Sequence, residues 1–308
     1  MKLSEIRDRR IFITGGTGFF GKSLLQHPVV ESNYVVLLSR NPQHLVDELP
    51  NLKNSNNIDF IEGDVRHFNC NDFDFDYIIH GAATSSRIIP DDEMKSVVTE
   101  GSKRVIEFAR KNHNLSRLLY ISSGAVYGNR HDGLISEDMS CEPGNVYGSV
   151  KLRAEQYCAL GNIPYCIARC FAFVGGYLPL DEHFAIGNFI RDCLENRDII
   201  IKGDGTPTRT YLYSGDLSTW LWTILFNGIE GRIYNVGSDY EVSISQLAEL
   251  VRNISGSTND IQILSPPSGK PIHRYGPNIS RARQELQLDV ETSLEEAIRL
   301  TLKQHKSF

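Results

Sequence analysis

The feature that most restricts this chain is a short apolar run, Ile11-Phe12-Ile13-Thr14, that feeds directly into Gly15-Gly16-Thr17-Gly18-Phe19-Phe20-Gly21. Glycines at 15, 18 and 21 are spaced GxxGxxG, and a helical pattern follows. Each glycine has a physical job. The first permits a tight turn after a strand. The second lets backbone N–H groups approach a pyrophosphate with no Cβ in the way, and the third lets the helix pack close to the sheet. The helix N-terminus adds a partial positive charge. A glycine motif alone is weak evidence, but here it has the required strand before it and helix after it, at the first strand of the chain. Thr17, Phe19 and Phe20 sit inside the turn and share the expected cradle.

Short apolar runs at 11–14, 35–38, 58–61, 77–80, 118–122 and 165–169 read as strands. Helical patterns at about 20–27, 93–112 and 145–161 lie between them. That alternation predicts an α/β fold: a doubly wound parallel sheet of Rossmann type, covered on both faces. The rhythm breaks after about 174, at Gly175-Gly176 and Pro179. Helices are expected at 184–195, 216–226, 280–286 and 293–304, with a strand or loop at 211–213 and a strand at 233–236. The pattern predicts a dinucleotide-binding domain from 1–174 plus about 211–237. A smaller, interleaved C-terminal substrate-binding lobe would comprise about 175–210 plus 238–308. A chain of 308 residues buries a full core without metal or disulfide staples.

The residues after the second run address which dinucleotide binds. A carboxylate there would meet the ribose 2′-hydroxyl of NAD. This chain has Val35-Val36-Leu37-Leu38-Ser39-Arg40 and no acid. Arg40 can pair with a 2′-phosphate and Ser39 can donate to it, which favours NADP(H), with NAD(H) as the alternative. Asp64 follows the third strand, where a side chain can reach the adenine amino group, with a turn-forming Asp as the alternative.

Tyr147-Gly148-Ser149-Val150-Lys151 is the one YxxxK among thirteen tyrosines. Residues four apart share a helix face, so Lys151 would sit beside the Tyr147 phenol. An ammonium there stabilises phenolate and would bring the tyrosine nearer neutral pH. Ser123 lies 24 residues earlier, at the end of a strand, where its hydroxyl can hold a reacting carbonyl oxygen for Tyr147.

Taken in order, TGGTGFFG (14–21), GDV (63–65), HGAA (80–83), SSGAVYG (122–128), YGSVK (147–151) and RTYLY…D (209–216) resemble the extended short-chain dehydrogenases, the nucleotide-sugar epimerases, dehydratases and reductases. The resemblance spans essentially the whole chain. It implies that Val65, Ala82 and Ala83 line the cofactor site, with Tyr147 and Lys151 also touching the cofactor. It implies a homodimer built through the 93–112 and 145–161 helices. It also implies a diphosphate grip by Arg209 and Arg274, with Ser123, Gly124, His183 and Asn188 near the sugar.

Two departures narrow the reaction. Relatives that eliminate water place an Asp-Glu pair after the catalytic hydroxyl, and this chain has Gly124-Ala125. Without an acid and base there, that elimination lacks its chemistry. Many relatives place an Asn three residues before Gly101, and this chain has Val98. The leading expectation is NAD(P)H-dependent reduction of the C4 ketone of a nucleotide-linked 4-keto-6-deoxyhexose, with a dTDP-sugar favoured, in deoxysugar or polysaccharide precursor synthesis. The rivals are a 4-epimerase with tightly held NAD and a non-catalytic dinucleotide sensor.

A net charge of −6 argues against nucleic acid as a partner. The six cysteines form no CxxC pair and no His pattern completes a zinc site, so no metal is expected. Residues 1–10 lack the apolar core of a signal peptide, and no run approaches a membrane span, which points to the cytoplasm.

Overall fold

The computed structural model describes residues 1–306 apart from 71–73, 84–89, 129–132, 183, 267–268 and 270–272, and apart from the side chain of Asn54. The chain alternates β1 (Arg10–Thr14), α1 (Phe19–Leu25), β2 (Tyr34–Ser39), α2 (Pro42–Glu48), β3 (Ile58–Glu62), β4 (Tyr77–His80), α3 (Asp91–Lys111), β5 (Arg117–Ser123), α4 (Val146–Ala159) and β6 (Tyr165–Cys170). Period-2 side-chain alternation sorts the strands onto two faces. Ile11, Ile13, Val35, Leu37, Ile79 and Ile121 enter one buried cluster. Their neighbours Phe12, Val36, Leu38, Ile78, Leu118 and Tyr120 enter another. Strands buried on both sides belong to a parallel sheet covered by helices.

The second half contributes β7 (Phe173–Val174), α5 (Ala185–Leu194), β8 (Ile199–Ile201), β9 (Thr208–Arg209), β10 (Leu212–Tyr213), α6 (Ser214–Asn227) and β11 (Ile233–Val236). The tail adds β12 (Val242–Ser243), α7 (Ile244–Ser255), β13 (Ile261–Ile263), β14 (Arg274–Tyr275), α8 (Ser280–Leu286) and α9 (Leu294–His305). The central sheet has seven parallel strands in the order β11-β6-β5-β4-β1-β2-β3. The chain first winds outward from β1 through β2 and β3, then crosses to β4 and winds the other way. The C-terminal ends of β1 and β4 therefore flank a topological switch point, where open α/β sheets bind ligands. The α/β doubly wound expectation is met.

Leu212–Tyr213 does not join the central sheet; it pairs in parallel with Phe173–Val174 as a separate two-stranded ribbon. β12, β9 and β14 form a second small sheet, and β13 pairs with β8. A third core, including Ile186, Phe189, Ile190, Ile199, Leu247, Val251, Ile298 and Leu302, sits among α5, α7 and α9. The Asp216 carboxylate on α6 accepts from the Thr292 amide (2.9 Å), the Thr292 hydroxyl (2.9 Å) and the Glu291 amide (3.1 Å), tying the tail to the helix that packs on the central sheet. Among the described residues, no helix is long and apolar enough to cross a membrane.

Candidate active site

The glycine turn is built as close packing requires. Gly15 has a φ of +80°, and an added Cβ would lie 2.6 Å from the Gly81 carbonyl carbon after β4. At Gly21 a Cβ would meet Gly16 backbone at 2.3 Å, so α1 lies hard against the turn. Gly18 is different: a Cβ there would meet nothing nearer than the Gly15 oxygen at 3.7 Å. The surface over Gly18 is thus open backbone at the N-cap of α1, a shape and polarity that fit a pyrophosphate. Thr17 is half-buried in the same turn. Phe19 and Phe20 pack their rings onto Phe173 (centroids 6.2 and 5.3 Å apart).

A buried polar staple holds the switch point together. His80 Nδ1 lies 2.7 Å from Thr14 Oγ1, and Nε2 lies 3.0 Å from Ser102 Oγ on α3. Thr14 Oγ1 also accepts from the Ala82 amide at 3.2 Å. Burial, then the Lys151 charge, push the His80 pKa down to about 3, so the ring stays neutral. Ala82 is half-buried and Ala83 exposed beside it. The role of His80 was not read from the sequence, although its motif was noted; it is the polar residue at the end of an otherwise apolar strand.

At the end of β2, Ser39 is buried and its Oγ accepts from the Asn41 amide at 3.1 Å. Arg40 is exposed and makes no hydrogen bond or ion pair among the described residues. After β3, the Asp64 carboxylate is held by the Arg66 fork, Nε to Oδ1 at 2.8 Å and Nη2 to Oδ2 at 2.9 Å. That hydrogen bonding holds the Asp64 carboxyl down at about 2. Val65 packs its side chain against α3 at Gly101, where a Cβ would come within 2.7 Å.

Tyr147, Lys151 and Ser123 converge at the C-terminal edge of β5. The Asn145 side chain caps α4 by accepting from the Gly148 amide at 2.8 Å, which fixes the turn that carries Tyr147. Lys151 is 2% exposed, and its Nζ donates to the Ile121 carbonyl at 2.8 Å. Ser123 Oγ accepts from the Ala125 amide at 3.2 Å, and the Ser123 hydroxyl is near enough to the Tyr147 phenol to lower its pKa.

The electrostatics correct one expectation. Lys151 does not bring Tyr147 towards neutrality. Burial dominates and pushes the phenol up to about 12, against a smaller opposite effect of Ser123. Burial also lowers Lys151 to about 8. The geometry gives the reason: Nζ is directed at the Ile121 carbonyl and sits 4.9 Å from the Tyr120 ring centroid, but 5.9 Å from that of Tyr147. Tyr147 is consequently a protonated phenol at neutral pH, poised to give a proton. Val98, where relatives place an Asn, is 1% exposed and belongs to the apolar core under α3.

The remaining residues separate. Gly124 lies under Tyr275 and Phe171: a Cβ would meet the Tyr275 hydroxyl at 2.6 Å and the Phe171 ring at 2.9 Å. Arg209 and Arg274 come onto paired strands, with Arg274 opposite Thr208 and Tyr275 opposite Arg209. The Arg209 guanidinium lies 5.8 Å from the Tyr275 ring centroid and 3.2 Å from His273 Nδ1. Arg274 instead reaches Glu241 at 3.3 Å. Register parity starts the two side chains off opposite faces of the ladder, and each guanidinium has its own partner. Asn188 is on α5, its Oδ1 taken by Arg191 at 3.1 Å. His183 lies outside the described residues. Nothing local in the sequence singles out Tyr275, whose place against Gly124 depends on a long-range strand pairing. Among the described residues, no three His, Cys, Asp or Glu side chains gather as a metal site.

Comparison with known proteins places this geometry. The profile of the NAD dependent epimerase/dehydratase family matches residues 11–237. Human dTDP-D-glucose 4,6-dehydratase is 28% identical over 266 residues, 82% of this chain and 75% of that protein. A putative UDP-glucose 4-epimerase of Methanocaldococcus jannaschii is 28% identical over 94% of this chain and 96% of its own. The crystal structure of UDP-glucuronic acid 4-epimerase from Bacillus cereus in complex with NAD superposes with a TM-score of 0.85, at 25% identity, over 97% of this chain and 99% of that one. With its glycine turn at the switch point and its Ser-Tyr-Lys cluster beside it, this chain belongs to the NAD dependent epimerase/dehydratase family.

Proposed function

We propose that the protein reduces the C4 ketone of a nucleotide-activated 4-keto-6-deoxyhexose, with NADPH as reductant and a dTDP-sugar as the favoured substrate. The observation that carries this reading is the Ser123–Tyr147–Lys151 cluster with no carboxylate at 124 or 125, where Gly124 is covered by the Tyr275 hydroxyl. Hydride transfer at a carbinol carbon has its groups; elimination of water does not.

The chain's residues divide the work. Ser123 donates a hydrogen bond to the ketone oxygen and orients it. Tyr147, held as a phenol by burial, donates its proton to that oxygen as it becomes a hydroxyl. The Lys151 ammonium, held on the Ile121 carbonyl 5.9 Å from the Tyr147 ring centroid, would turn to the Tyr147 oxygen only once that oxygen carries the negative charge. Reduced nicotinamide, when bound, supplies the hydride. Gly15, Thr17, Gly18 and Gly21 would hold the pyrophosphate, and Ser39 with the exposed Arg40 would take the 2′-phosphate. Arg209 is the better placed of the two arginines for the substrate diphosphate, since it shares a strand face with Tyr275 beside the catalytic cluster. Segments 175–210 and 238–308 would form the lobe that receives the sugar nucleotide. The exposed sides of α3 and α4 would pair two subunits, and the enzyme would work in the cytoplasm.

A 4-epimerase with resident NAD is the second reading, supported by the near full-length relative from Methanocaldococcus jannaschii. One assay separates them. The purified protein is denatured and its released dinucleotide measured; the intact protein is then offered NADPH or NADH with nucleotide 4-keto-6-deoxy sugars. NADPH oxidation in step with loss of the ketosugar, abolished in Tyr147→Phe with dinucleotide binding retained, supports the reductase. Stoichiometric bound NAD and interconversion of epimers without net oxidation overturns it. Dinucleotide binding with no turnover of any sugar would leave only the sensor.

A further inference from the structure

The catalytic cluster contains a second phenol. Tyr275 is brought in by the tail: β14 pairs with β9, the Gly276 carbonyl accepts from the Ile135 amide at 2.9 Å, and the Asn278 amide donates to the Ile135 carbonyl at 2.8 Å. Its ring packs on Phe171 with centroids 5.0 Å apart, and the Arg209 guanidinium lies 5.8 Å from its centroid. The neighbours on both sides are glycines that leave room for this course. A Cβ on Gly276 would meet Thr210 at 2.5 Å, and one on Gly124 would meet the Tyr275 hydroxyl at 2.6 Å. The hydroxyl therefore occupies the volume that any side chain at 124 would fill, beside the Ser123-Gly124 backbone.

Counting the hydrogen bonds at Ser123 gives this contact a consequence. A serine hydroxyl has one proton and two acceptor positions. The Ala125 amide already fills one acceptor position at 3.2 Å. A donor in the second position leaves the Ser123 proton one direction to point, towards the reacting oxygen beside Tyr147. We propose that Tyr275 is a positioning residue: its hydroxyl donates to Ser123 Oγ, fixes the direction of the Ser123 O–H and strengthens it as a donor. Burial raises the Tyr275 phenol well above the ordinary range, so the donor keeps its proton throughout the working pH range. A chain of this kind, phenol to serine to substrate oxygen, also polarises cooperatively. The inference rests on the proposed C4 chemistry only for its effect on rate; the contact itself is testable in the resting protein.

Two measurements test it, and they fail independently of each other. The first uses protein labelled with 13C at tyrosine Cζ. The Tyr147 resonance is identified by its loss in Tyr147→Phe, and its chemical shift is then followed in Tyr275→Phe. A change in that shift is expected, and the same substitution made on a Ser123→Ala background should leave it unmoved. This readout needs no turnover, so it holds or fails whichever reaction the enzyme performs. The second is the double-mutant cycle in activity. Tyr275→Phe keeps the ring on Phe171 and removes only the oxygen; kcat is expected to fall about tenfold with KM within about twofold. On the Ser123→Ala background the further loss should be less than about twofold. Gly124→Ala, which pushes a methyl at the same hydroxyl, should reproduce the kcat loss in a protein whose circular dichroism is unchanged. An unmoved Tyr147 resonance, an unchanged kcat in Tyr275→Phe, or an equal loss with and without Ser123 would each overturn the proposal. If no substrate of the panel turns over, the reductase reading fails alone, and the resonance still decides the role of Tyr275.

Discussion

Lys151 and Glu155 stand one helical turn apart on the buried face of α4, and each is anchored to the strand floor beneath the catalytic edge. Lys151 Nζ donates to the Ile121 carbonyl at 2.8 Å. Glu155 accepts from Arg169 on β6, Nη2 to Oε2 at 2.7 Å and Nε to Oε1 at 3.0 Å, and from Ser122 Oγ at 2.5 Å. Both members of the ion pair are 4% exposed. The helix that carries Tyr147 is thus clamped to both strands that frame the site, and Ser122 links the clamp to the residue next to Ser123.

The clamp predicts a stability effect. Glu155→Ala leaves the Arg169 guanidinium buried without its carboxylate, a change that costs about 3–5 kcal/mol. Glu155→Gln keeps the acceptor oxygen and should cost less. Urea unfolding checks this. A loss below about 1 kcal/mol for Glu155→Ala would mean that water or another carboxylate replaces the partner.

Lys151 sets a pH dependence with a definite sign. Its pKa falls from the ordinary 10.5 to about 8 in the folded protein. Between these values the unfolded chain binds the proton that the native one has released, so stability rises with pH across that window. Below about pH 8 both states hold the proton, and the full cost of the buried charge is present. Wild type should therefore gain on Lys151→Met by up to about 3 kcal/mol from pH 8 to 10.5. The catalytic consequence runs the other way: kcat/KM should fall above about pH 8 as the ammonium is lost. Chemical denaturation at several pH values and a pH–rate profile read the two effects separately. A rate flat to pH 10 would show that catalysis does not need the charge.

Arg40 is the test of cofactor choice. It stands exposed at the end of β2, unpaired among the described residues, next to a serine whose oxygen already accepts from Asn41. Arg40→Ala should lower kcat/KM for NADPH tenfold or more, through loss of a charge-assisted contact, and change NADH little. Steady-state kinetics with both cofactors decides; an equal loss for both would place Arg40 at a phosphate they share.

The strands, the glycine turn and the Tyr-Lys pair were legible because each is local. Apolar runs, a spacing of three and a spacing of four are short-range properties. Two helices could also have been read from local signals: α7 begins at Ser243 with Gln246 three residues on, a reciprocal cap, and ends at Gly256 with a φ of +73°; α2 starts at Asn41-Pro42, a capping residue followed by proline. What could not be read depends on distant segments. The position of Tyr275 over Gly124 needs the β14–β9 pairing, and the parting of Arg209 from Arg274 needs its register. The direction of the Tyr147 shift needs the burial of α4, which a four-residue spacing does not contain.

The two glycines of the turn separate folding from binding. Gly15 has a φ of +80° and stands against Gly81, so an alanine there needs a left-handed backbone and a shifted chain as well. The backbone conformation alone costs about 1–2 kcal/mol. Gly15→Ala should lower the melting temperature by several degrees even without ligand. Gly18 has a φ of −86°, and an added methyl would meet nothing within 3.5 Å. Gly18→Ala should then melt with wild type in the absence of dinucleotide. Its methyl would stand where a pyrophosphate approaches the backbone, so added dinucleotide should stabilise it far less than wild type. Thermal melts of the three proteins with and without NADP+ and NAD+ give the answer. A Gly18→Ala protein stabilised as strongly as wild type would move the phosphate away from the turn, towards the Ala82 side of the switch point.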